Sequence, residues 1–154
     1  MLERPHVTQS AAQTTAVIPL TIPRGEIRQV MGPGSSEVMK ALAARGIAPA
    51  GPWLTYHRRM DAKVFDFEIA VPVAKRVEPS GRVRPGELPA AKVARAVYVG
   101  GYEGLGAAWA EFDAWIATNG HRPRGDMWEQ YVAGPESGPD SSKWRTELNR
   151  PLRD

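Results

Sequence analysis

The residue best placed to do chemistry in this chain is Glu129, in the run Met127-Trp128-Glu129-Gln130-Tyr131. If that run is a strand, side chains alternate between faces, so Met127, Glu129 and Tyr131 share one. A carboxylate between a methionine and a tyrosine has two readings. On a solvated face it is an ordinary surface charge, and spacing alone favours that, because charged side chains are mostly exposed. On a face that lines a cleft it is a partly desolvated anion, whose cost must be met by a cation or by hydrogen-bond donors. A cationic ligand would meet it, and flanking aromatic rings would add cation–π attraction. Asp126 cannot join Glu129 as a second carboxylate, because their spacing on a strand sets them on opposite faces.

Other chemistries find less support. The 154 residues contain no cysteine, which excludes disulfides, thiolate catalysis and cysteine metal sites. The three histidines, His6, His57 and His121, lie far apart in no metal-ligand spacing. His57 and His121 are expected at the surface, and no metal or cofactor is implied. Gly100-Gly101 precedes a helical pattern but lacks the Lys and Ser/Thr of a phosphate loop. Lys and Arg number 20 against 17 Asp and Glu, a net charge of +3, and the basic residues are scattered. So weak a field does not argue for nucleic acid. No apolar run approaches the length of a membrane span and Met1-Leu2-Glu3-Arg4-Pro5 is no signal peptide, so neither a membrane nor export is expected and the location is read as cytoplasmic.

The elements that must position Glu129 follow from periodicity. Residues 1–14 are polar without a period and read as a flexible N-terminal tail. Thr15 to Ile22 alternates as a strand, with Pro19 and Pro23 pushing it toward a sheet edge. Gly32-Pro33-Gly34 reads as a turn, Ser35-Ser36 as the cap of a helix, and Gly46 as its end. Trp53 to Arg58 and Val64 to Val73 read as strands, and Glu78 to Pro89 as a connecting loop. Lys92 to Val99 is a strand. Glu103 to Asn119 is the strongest helix, with Leu105, Ala108, Trp109, Phe112, Trp115 and Ile116 on one stripe, read as helix-on-sheet core. Asp126 to Ala133 and Lys143 to Leu152 are the last strands.

The order is β-α-β-β twice, and the residues support a repeat. Trp53 and Tyr56 match Trp128 and Tyr131, which sets Leu54 against Glu129. Glu68 and Pro72 match Glu147 and Pro151, and both helices end in glycine, at Gly46 and Gly120. The expected fold is α+β: a tandem β-α-β-β repeat with pseudo-twofold symmetry, in one domain over 15–154. Repeat one runs over about 15–76 and repeat two over about 88–152. Antiparallel sheets have helices packed behind, Trp53 and Trp128 lie beneath those helices, and a central crease between the copies suits a ligand.

The chain resembles the GyrI-like small-molecule-binding domain, also called the bacterial transcription-activator effector-binding domain. The resemblance spans about Thr15 to Leu152. It is carried by GIAPAGPWLTY (46–56), DFEIAVPV (66–73), GELPA (86–90), GGYEGL (100–105), WEQY (128–131) and Trp144 to Leu152. It implies that lipophilic, often cationic, compounds bind in the crease, with Glu129 the anionic centre. It places Tyr102 at the turn that follows Gly100-Gly101, and Tyr56, Phe67, Tyr131 and Trp144 around the ligand. Where many members carry a histidine before that turn, this chain has Tyr98. Too little chain lies upstream of Thr15 for a helix-turn-helix, so direct nucleic-acid binding is not expected.

Three functions are compatible with these residues. The first is a stand-alone binding domain that senses or sequesters a small hydrophobic or cationic molecule, without catalysis. The second is a hydrolase of strained cyclopropane-bearing natural products, in which Glu129 activates water with help from Tyr102. The third is a protein-interaction role such as gyrase inhibition, with an unidentified protein partner on an outer surface.

Overall fold

The computed structural model describes residues 2–60 and 63–153. Along the chain run β1 (Leu2–Ser10), β2 (Gln13–Pro23), α1 (Ile27–Ala44), β3 (Leu54–Met60), β4 (Val64–Pro72), β5 (Arg84–Leu88), β6 (Ala91–Val99), α2 (Leu105–Thr118), β7 (Met127–Ala133) and β8 (Arg145–Pro151). The chain divides into two compact units, one of residues 11–90 and one of residues 1–10 with 91–154.

The unit of residues 11–90 has strand order β5-β2-β4-β3, all antiparallel. Ile18 on β2 stands opposite Ile69 on β4, and Ala16 opposite Val71. These side chains make one apolar face, on which Val38 and Leu42 of α1 pack to close a core. Trp53 packs against that core, as its position before β3 suggests. Pro19 is tolerated within β2 because β5 pairs only with Gln13 to Val17, so no neighbour on that side needs its missing N–H.

The other unit has the same order, β1-β6-β8-β7, again antiparallel. Its core joins Ala94, Ala96 and Tyr98 of β6 and Leu148 of β8 to Ala108, Phe112 and Ile116 of α2. The last three recur every fourth residue, one stripe of a helix. The α+β, antiparallel fold class read from the sequence is the one observed.

Three elements correct the sequence reading. The expected tail is strand β1, paired with β6 from Leu2 to Ser10. The expected loop over 78–89 contains strand β5. The repeat is thus β-β-α-β-β, and the first strand of each copy is exchanged: β1 serves the unit of β6, and β5 that of β2. Lastly, Gly32-Pro33-Gly34 is not a turn but lies inside α1. Pro33 forfeits one helical hydrogen bond there. At Gly34 the helix approaches the sheet closely, and a Cβ there would force the end of the Ile69 side chain to shift.

Candidate functional site

Strand pairing decides which face Glu129 occupies. Glu129 stands opposite Leu148, and Leu148 lies in the core under α2. Glu129 therefore shares the α2 side of the sheet, and not the face away from the helix that the sequence reading expects. Trp128, one residue earlier, stands opposite Asn149 on the other face. It is fully buried there, away from α2 rather than beneath it.

The helix brings Glu129 a partner. Nε1 of Trp109, on α2, donates to Glu129 Oε2 at 2.6 Å. The Tyr131 hydroxyl donates to Oε1 at 2.8 Å. Trp109 also packs against the core, so the stripe residue read as core has a second task. Nothing in a helical stripe separates the two roles; only the facing strand does.

Desolvation pushes the Glu129 carboxyl above the ordinary range, and the bonds from Trp109 and Tyr131 oppose it. The residue retains part of its surface although protein surrounds the carboxyl densely. Among the described residues, no Lys or Arg forms an ion pair with Glu129. Two neutral donors, the Trp109 indole and the Tyr131 hydroxyl, hold it.

Aromatic rings complete the surroundings. Tyr102 opens a 3-10 turn (Tyr102–Gly104) ahead of α2. Its ring meets Tyr131 edge-on at 5.8 Å between centroids, and Trp144 at 5.1 Å. Buried Tyr98 fixes this turn: its hydroxyl donates to the Gly101 carbonyl at 2.7 Å. Gly104 leaves room for that hydroxyl, which a Cβ would strike. Trp144 is held by Nε1 donating to the Gly138 carbonyl at 3.0 Å.

Four of the six expected site residues, Tyr102, Glu129, Tyr131 and Trp144, thus form one connected set. Tyr56 and Phe67 belong to the other unit and to opposite faces of it. Phe67 is fully buried and stacks on His57 at 5.1 Å. Tyr56, half-buried, stands opposite Glu68 on the face away from α1. His57 is not at the surface as expected: it is 4% exposed, and burial with the nearby Arg24 cation lowers its pKa to about 4. No cluster of three or more His, Cys, Asp or Glu able to hold a metal occurs among the described residues. None of the described helices is long and apolar enough to cross a membrane.

Each unit is thus an antiparallel set of strands with a helix over it, and one of them carries a desolvated carboxylate beside aromatic rings. The GyrI-like small molecule binding domain matches residues 5–153, and the chain belongs to that family. The crystal structure of the EcmrR C-terminal domain is similar over 100% of this chain and 99% of that one, at 21% identity and a TM-score of 0.85. The chain spans 57% of the EcmrR chain in its DNA complex. SAV2435 bound to tetraphenylphosphonium is similar over 97% of this chain and 94% of that one, with 15% identity and a TM-score of 0.66. A hydrolase from Listeria innocua is similar over 97% and 92%, with 13% identity and a TM-score of 0.67. At these identities the likeness is one of fold. No curated protein matches the chain.

Proposed function

We propose that this domain binds a hydrophobic, cationic small molecule, with Glu129 as its counter-ion and Tyr102, Tyr131 and Trp144 as its aromatic wall. One observation carries the reading: a desolvated carboxylate held by two neutral donors, with no ion pair to a Lys or Arg among the described residues. Such a group lowers the stability of the free domain, and a bound cation repays that penalty. The ring faces nearby add attraction for a delocalised cation. That SAV2435 has been seen with tetraphenylphosphonium, on the same fold, supports the class of ligand. The domain then senses or sequesters its ligand without altering it.

Isothermal titration with tetraphenylphosphonium and with neutral triphenylphosphine oxide tests this. The cation binds and the neutral compound binds weakly. Glu129→Gln costs the cation about 100-fold in affinity, the scale of a desolvated charge pair losing one member. Equal affinity for both compounds, or no loss in the variant, overturns the reading.

A second reading, hydrolysis of a strained ring, draws on the raised carboxyl of Glu129 and the Tyr131 hydroxyl on it, which together suit general acid–base work. The fold of the Listeria innocua hydrolase is shared. Incubation with a cyclopropane-bearing alkylator separates the two: ring-opened product, absent with Glu129→Gln, makes this an enzyme.

A further inference from the structure

Thr146 interrupts the aromatic surroundings of Glu129. It lies on β8 directly opposite Tyr98 of β6 on one side and Tyr131 of β7 on the other. It is completely buried, and its hydroxyl has no hydrogen-bond partner. Two phenols flank it, yet both are committed elsewhere, Tyr98 to the Gly101 carbonyl and Tyr131 to Glu129. A buried hydroxyl without a partner costs stability, and valine would fill the same space without that cost. The equivalent position in the other unit carries Phe67, which has no polar group.

We propose that the Thr146 hydroxyl is a ligand-reading group, and that the site takes a lipophilic cation carrying a hydroxyl, amine or carbonyl close to its charged centre. This rests on the reading of Glu129 as counter-ion. A cation arriving at Glu129 competes with the Tyr131 hydroxyl for Oε1. Once that bond is given up, Tyr131 loses its hold on Glu129, and its ring is the one that flanks Thr146 on the β7 side. Thr146 is the diagonal neighbour of Glu129 across β7 and β8. Such neighbours on one face lie about 7–8 Å apart, which sets the reach from charge to polar group. A hydroxyl both donates and accepts, so either kind of ligand group satisfies it.

The test uses tetraphenylphosphonium and its three derivatives hydroxylated on one ring, the ortho, meta and para isomers, titrated into the wild type, Thr146→Val and Thr146→Ser. At least one isomer binds the wild type about tenfold tighter than the parent cation, the scale of one hydrogen bond to a waiting group. Thr146→Val binds parent and isomers alike and melts at higher temperature, because an unmet hydroxyl is gone. Thr146→Ser keeps the preference. Indifference of the wild type to every isomer overturns the proposal, as does a preference that survives in Thr146→Val or a valine variant that melts lower. If no cation binds the wild type, the reading of Glu129 falls as well, which distinguishes the two failures.

Discussion

The two units share a strand order and a helix, but their equivalent positions hold opposite kinds of chemistry. Aligned on Glu68 and Glu147, the pairing registers put Thr55 opposite Ile69 where Glu129 is opposite Leu148. They put His57 opposite Phe67 where Tyr131 is opposite Thr146. Both strands break register at the next residue, which confirms the alignment. The helices align on their terminal glycines, Gly46 and Gly120, both with positive φ, and Trp109 then corresponds to Ser35. Ser35 bonds back to the Gly32 carbonyl of its own helix, whereas Trp109 reaches out to a carboxylate. In the unit of residues 11–90, a phenylalanine and a neutral imidazole fill the space by stacking. In the other, a threonine stands where the phenylalanine does, and a carboxylate accepts from the Tyr131 hydroxyl beside it. One scaffold thus carries an aromatic stack in one unit and a carboxylate with two neutral donors in the other, and Phe67 of the first corresponds to Thr146 of the second.

The largest effect expected from breaking that contrast is at Phe67. Phe67→Ala removes a fully buried ring from the stack with His57 and Phe65. Loss of such a ring costs about 3–5 kcal/mol in core substitutions. Urea denaturation should show a fall of that size, while affinity for tetraphenylphosphonium, measured under native conditions, stays within a few-fold. A large loss of affinity with little loss of stability would instead make Phe67 the ligand wall that the family resemblance suggests.

A somewhat smaller effect sharpens the contrast through pH. His57 is held neutral by burial first and by the Arg24 cation second, with a pKa near 4 against 6.5 when free. Below 6.5 the unfolded chain takes up a proton that the folded one refuses. The contribution of His57 to stability is therefore complete above pH 6.5 and lost as pH falls toward 4. The shift corresponds to about 3 kcal/mol. Other groups add their own acid dependence: Asp66 and Glu68 lie on the adjoining strand, bridged by Arg58. The measurement is consequently a difference between wild type and His57→Phe, which keeps a ring for the stack. The two stability curves should run parallel above pH 6.5 and diverge below it. Parallel curves down to pH 4 would mean that His57 protonates freely in the fold.

Much of this was legible in the sequence, and the misses share a physical origin. The strand of Glu129, the helix beneath it and the repeat all announced themselves by periodicity and by matched glycines. Strands β1 and β5 did not, because each lies at the edge of its unit's sheet, and β1 keeps no buried residue. An edge strand with little to bury carries no alternating pattern to detect. Matching Trp53 to Trp128 by residue type sets the two copies one residue out of register. The register shows Trp128 equivalent to Leu54, so the residue that Glu129 replaces is Thr55. Pairing register, and not residue type, fixes which face a strand residue joins. The same limit explains Trp109, whose role depends on which strand its helix covers. His57 read as a surface residue because a lone histidine beside two arginines, Arg58 and Arg59, looks solvated.

The finest test of the contrast is Trp109→Phe, which keeps an aromatic ring in the core and removes only the N–H. With that donor gone, nothing but Tyr131 opposes desolvation at Glu129, so its carboxyl rises further from the ordinary range. A cation binds the ionised form, so its affinity climbs with pH until the carboxyl of the free domain is fully ionised. In Trp109→Phe this climb should move to higher pH. Affinity at a fixed pH below the plateau should drop by up to about 1.5 kcal/mol, the worth of one hydrogen bond to a charged group. At high pH the two proteins should converge except for the direct loss of the indole face, which favours a cation more than phenyl does. A titration of tetraphenylphosphonium affinity against pH reads both components at once. A uniform loss at every pH would assign Trp109 to packing and cation–π contact alone. A shifted midpoint would show that the helix, through one indole N–H, sets the charge of the strand residue it covers, which Ser35 in the other unit cannot do.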